Sequence, residues 1–139
     1  MWDKKDLISI TEIQEKITAD TVSFAERFGK YLAQNDDKEE PLTTSQLRKF
    51  FGEVKRQQMT GYDDTEFVML KPKLAYAVGR ARARQNGKRD KYLKIEDFYI
   101  VMADAIDKVV QSTDKNKAFN NFITAFEAVV AYHKAAEKK

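Results

Sequence analysis

Apolar residues recur along this chain at intervals of three, four and seven, the spacing of helices that bury one face. Over residues 6–34, Ile10, Ile13, Ile17, Phe24, Phe28 and Tyr31 form one such stripe, which predicts a long first helix ended by a loop over residues 35–41. Thr43, followed three places later by Gln46, is a capping-box pattern that opens a second helix reaching about Gln58, with Gly61 and Tyr62 breaking the chain after it. A third helical region starts at Asp63 or Asp64, gains from Glu66 near its N-terminal dipole, and continues towards Gln85. Within it, Pro72 is expected either to kink the helix or to start a fresh one. The fourth helix, near residues 95–111, places Phe98, Met102, Ala105 and Val109 on one side. The fifth follows a cap at Thr113 or Asp114 and turns Phe119, Phe122, Ile123, Phe126, Val129 and Val130 inward. No alternating pattern argues for strands, so the fold class is all-α.

Five glycines and two prolines leave little chain for turns, and 139 residues suit one domain with a real core. With no cysteine, disulfides and thiol chemistry are excluded. The first ten residues have neither a basic leader nor a cleavage pattern, and no run approaches the roughly 20 apolar residues of a membrane span. The chain is therefore expected to be soluble, unexported and cytoplasmic.

Charge changes this picture more than composition does. Residues 1–40 carry a net −4, residues 41–94 a net +8 and residues 95–139 a net −1. Nine lysines and arginines fall within residues 71–94, with Asp90 the one acid among them. Charge runs often do no more than solvate a face. A concentrated field of one sign also suits a polyanion, nucleic acid above all. At about 100° per residue, the second helix groups Leu47, Phe50, Phe51 and Val54 and turns Arg48, Lys49, Lys55 and Arg56 the other way. On the third, Lys73, Arg80 and Arg84 share a line beside the apolar Leu70, Leu74, Val78 and Ala81. Aligned cations repel one another, so helix stability alone does not select them. The aromatic and methionine stripes have the helical spacing of core packing, which favours that role over base stacking or a cofactor pocket.

Catalysis has little to work with. His133 is the one histidine and lies in an apolar repeat, where a structural role is commoner than a catalytic one. Asp63 with Asp64 and Glu96 with Asp97 are better read as helix starts than as metal ligands. The glycines are too scattered for a phosphate-cradling loop. No enzymatic activity, metal or cofactor is expected.

Three stretches in order, LTTSQLRKF (42–50), LKPKLAYAVGR (70–80) and FEAVVAYHK (126–134), resemble the small subunit of the type III-A CRISPR effector, the Csm interference complex. The resemblance covers residues 42–134 and leaves residues 1–40 as an acidic, divergent N-terminal part. It implies a compact bundle of about five helices without catalysis of its own, stacked in several copies as the inner filament of the complex. Backbone subunits that hold the guide RNA and cut target RNA, and a large signature subunit that cuts DNA and makes cyclic oligoadenylates, are the implied partners. Guide RNA and target RNA are the implied ligands, with displaced single-stranded DNA as a further candidate.

Carried over by position, the residues implied to meet RNA are Arg48 and Lys49 from the first stretch and Lys73 and Arg80 from the second. Lys55, Arg56, Arg82, Arg84, Lys88, Arg89 and Lys91 join them by charge and proximity alone. Thr43, Thr44 and Ser45 can either donate to phosphates at a helix N-terminus or simply cap it. A free-standing helical nucleic-acid-binding protein, or a helical adaptor for an acidic protein, would carry the same basic centre. The N-terminal apolar stripe requires burial, either in the chain's own core or against a neighbouring subunit.

Overall fold

The computed structural model of the protein describes residues 1–85 and 91–137. In chain order these form α1 (Ile10–Gln14), α2 (Ala19–Ala33), β1 (Glu39–Glu40), α3 (Thr44–Thr60), α4 (Asp64–Val68), α5 (Leu70–Gln85), β2 (Tyr92–Leu93), α6 (Lys94–Val110) and α7 (Lys115–Ala136). The fold is all-α, and the five long helices are α2, α3, α5, α6 and α7. The strands are two residues each and pair in parallel, Glu39 with Tyr92 and Glu40 with Leu93.

Side-chain caps set most of these bounds. Thr43 and Gln46 form the expected capping box of α3, Thr43 Oγ1 accepting from the Gln46 N–H at 3.1 Å and Gln46 Oε1 from the Thr43 N–H at 2.9 Å. Gly61 ends that helix at φ 96°, a conformation that a side chain would strain. Asp63 caps α4, and Asp114 caps α7. Met69 separates α4 from α5, which leaves Pro72 in the first turn of a fresh helix, where its missing N–H breaks no bond.

The long first helix expected over residues 6–34 is instead two helices. Ser9 caps α1, which stops at Gln14. Thr18 then adopts extended backbone, its oxygen accepting from the Asp20 N–H at 3.2 Å while Thr21 Oγ1 accepts from the Thr18 N–H at 3.0 Å. The seven-residue spacing of Ile10, Ile17 and Phe24 runs across the break unchanged, so the apolar stripe conceals it. Ile13, Phe24 and Phe28 are buried within the chain's own core, whereas Ile10 is 47% exposed.

Helix α7 packs against α1, α2, α3 and α6. It meets α2 closely at Gly29, where an added Cβ would lie 2.8 Å from both the Val129 carbonyl oxygen and Tyr132 Cβ. Phe126 of α7 meets Phe50 and Phe51 of α3 and Phe98 of α6, and Phe67 of α4 packs edge-on against Phe119 and Phe122. His133 is buried beneath this layer and donates from Nε2 to the Leu42 carbonyl at 2.8 Å, tying α7 to the entry of α3.

The link between α2 and α3 is held by a buried polar hub on α6. Lys94, 2% exposed, donates to the Tyr31 and Gln34 carbonyls at 2.7 and 3.0 Å, satisfying the C-terminal end of α2. Burial lowers its pKa, and the nearby carboxylates of Glu39, Asp36 and Asp97 oppose that shift. Asp97 accepts from the hydroxyls of Tyr31 and Tyr92, each at 2.6 Å. Both phenols are pushed up, first by burial and then by the Asp97 carboxylate.

Candidate nucleic-acid interface

Helices α3 and α5 line a groove of about 600 Å³. Gln46, Lys49, Phe50 and Glu53 recur on α3 at the spacing of one helical face, and Lys73, Tyr76, Arg80 and Arg84 do the same on α5. Leu42, Leu70, Leu74, Ile95 and Phe98 complete an apolar lining. Among the described residues, the lining thus carries four cations and one carboxylate, Glu53.

That carboxylate is firmly held. Arg56 donates to it from Nε at 3.1 Å and from a terminal nitrogen at 2.7 Å, Gln57 donates at 3.1 Å, and Lys73 lies at 3.4 Å. The Arg56 and Gln57 hydrogen bonds, with the Lys73 charge, lower its pKa from 4.5 to about 2. Arg56 also reaches Glu66 at 2.9 Å, linking α3 to α4.

The structure separates the sequence-predicted cations into distinct groups. Lys49, Lys73, Arg80 and Arg84 meet at the groove, where Lys73 pairs with Glu53. Among the described residues, no ion pair involves Lys49, Arg80 or Arg84. Arg48 is exposed and equally lacks an ion pair among those residues, but lies on the flank of α3 shared by Thr44 and Lys55. Thr44 bonds to Glu137, and Lys55 to Glu127 at 3.2 Å, so this flank borders α7. Arg82 forms a bidentate pair with Glu96 of α6, its Nε at 3.2 Å and a terminal nitrogen at 2.7 Å. Lys91 is half-buried just before β2, and Lys88 and Arg89 lie outside the described residues.

Two further cations of the basic run are also committed. Lys71 pairs with Asp107 at 2.8 Å, and Lys94 is the buried cap described above. At the start of α3 the Thr43 oxygen is used in the capping box and the Glu137 carboxylate stands against Thr44. Capping thus engages the Thr43 hydroxyl and Glu137 the Thr44 hydroxyl, and a carboxylate there disfavours a phosphate. Sequence reasoning missed Tyr76, which is 68% exposed at the groove with the Arg80 guanidinium 5.9 Å from its ring centre. Its place between Lys73 and Arg80 at helical spacing was the available signal.

Among the described residues, no group of three or more His, Asp or Glu is arranged to hold a metal ion, and no helix is long and apolar enough to cross a membrane. No curated protein and no solved structure matches the chain significantly. The family described as Csm2 Type III-A does match, over residues 15–139. The chain thus belongs to the Csm2 Type III-A family, structural subunits of the type III-A CRISPR complex that associate with the other Csm subunits.

Proposed function

We propose that this chain is a non-catalytic, RNA-binding subunit whose α3/α5 face contacts the paired guide and target RNA through their phosphates. The observation that carries this reading is the set of Lys49, Arg80 and Arg84 around one groove, none in an ion pair among the described residues. Cations already paired must give up a carboxylate to meet a phosphate, whereas these three need not. Guide sequence varies while the protein does not, so binding rests on counterion release and leaves specificity to base pairing.

Few phosphate contacts per copy make an isolated subunit a weak, salt-sensitive binder. Copies stacked as a filament multiply the contacts and raise the effective concentration of each neighbour. Displaced single-stranded DNA offers the same phosphates and is a further candidate ligand. Tagged protein expressed in its native host is expected to co-purify through moderate salt with the larger Csm subunits and small repeat-derived RNAs of defined length. Recovery of the subunits without RNA would favour a purely structural adaptor, and recovery with unrelated RNA a free-standing binder.

A further inference from the structure

We infer that the mouth of the α3/α5 groove is a stacking site for one unpaired nucleobase, with Tyr76 as its platform and Arg80 beside it. This rests on the RNA-binding reading above and specifies which part of the polymer the groove takes. Sixteen aromatic residues occur in the chain, and all but Tyr76 are buried or half-buried. Trp2, Phe24 and Phe28 pack on one another, and the phenylalanines of α3, α4, α6 and α7 form the core. Tyr31, Tyr62 and Tyr92 each direct their hydroxyl to a carboxylate. Tyr76 makes no side-chain hydrogen bond among the described residues, and its ring is open to solvent beside an apolar lining.

A lone exposed ring on a helix has no stabilising role of its own, and isolated ones occur on ordinary surfaces. Here, however, the ring lies between Lys73 and Arg80 on the line that also carries Arg84, with Lys49 across the groove. An aromatic platform set among backbone-binding cations is the arrangement that holds single strands, and the planar guanidinium of Arg80 can cover a base as well. Paired bases in an A-form duplex already stack on their neighbours and present no free face to a side chain. The occupant is therefore a nucleotide left unpaired beside the guide–target duplex, its base against Tyr76 and its phosphates, with those of the adjoining duplex, against Lys49, Arg80 and Arg84. Stacking accepts every base, which suits a surface that must tolerate any guide sequence.

The test compares binding of the full chain, at low salt, to a short labelled single-stranded RNA and to the same strand with its central bases removed. Wild type is expected to bind the base-bearing strand about tenfold more tightly. Y76A should abolish that difference while leaving salt-dependent binding of the abasic strand intact, and Y76F should restore it. Equal, salt-dependent binding of both strands by wild type would overturn the stacking site and leave the phosphate reading standing. Binding of neither strand would overturn the stacking site, and failure to bind an RNA duplex as well would overturn both. If Y76A left both affinities unchanged but altered self-association in sedimentation, the ring would belong to a protein contact and the stacking site would fall.

Discussion

Glu53 is a carboxylate that hydrogen bonds from Arg56 and Gln57, with the Lys73 charge beside it, hold ionised, and its effect on stability has a defined pH range. Its folded pKa of about 2 lies below the ordinary 4.5, so its stabilising contribution is present above about pH 4.5 and is lost as pH falls towards 2. E53Q should lower stability by about 1 kcal/mol at neutral pH, a modest figure because the site is partly solvated. In urea titrations the gap from wild type should narrow below about pH 4.5; a gap independent of pH would contradict this account. The same variant removes the one carboxylate among the groove's described residues and frees Lys73, so it should bind RNA more tightly, by about two- to threefold. The basic composition of the α3/α5 region was legible in the sequence. Which cations are already paired was not, because Glu96, Asp107 and Glu127 reach Arg82, Lys71 and Lys55 from distant parts of the chain. Lys94 shows the limit most clearly, since a lysine counted as surface charge is a buried helix cap.

Among the elements, α2 and α7 depend on one glycine and one lysine. Gly29 lets the two backbones meet, and G29A should lower stability by about 1–3 kcal/mol, measured by urea denaturation, because the obstructing atoms include backbone. K94M takes the lysine donor from the Gln34 carbonyl and one of two donors from the Tyr31 carbonyl, which the Gln34 N–H also reaches, and should destabilise by a similar amount. Its effect should be seen as faster hydrogen exchange at the Leu42 amide, which bonds to the Leu32 carbonyl at 2.8 Å where the chain leaves α2. Unchanged exchange there would contradict the capping role. The starts of α3, α4 and α7 were readable because Thr43, Asp63 and Asp114 are local signals. The division into α1 and α2 was obscured by an apolar period that continues through it. The paired strands, two residues long, carry too little pattern to be read at all.

At the level of the whole molecule, the N-terminal part belongs to the core: α2 packs along α7, and Phe24, Phe28 and Leu32 are buried. Deleting residues 1–34 should therefore unfold the remainder, observed as loss of helical circular dichroism; a folded remainder would return the stripe to a subunit interface. The three sequence stretches that carried the family resemblance converge in space, since residues 42–50 and 70–80 supply most of the groove and His133 of the third holds Leu42 at its edge. The most direct test of the account is the salt dependence of RNA binding for the full-length chain and for a variant carrying K49Q, R80Q and R84Q. For a single strand, losing three phosphate contacts should reduce the slope of log affinity against log salt by about two and weaken binding at every salt concentration. An unchanged slope and affinity in a variant with an intact helical spectrum would contradict the assignment of RNA binding to this groove.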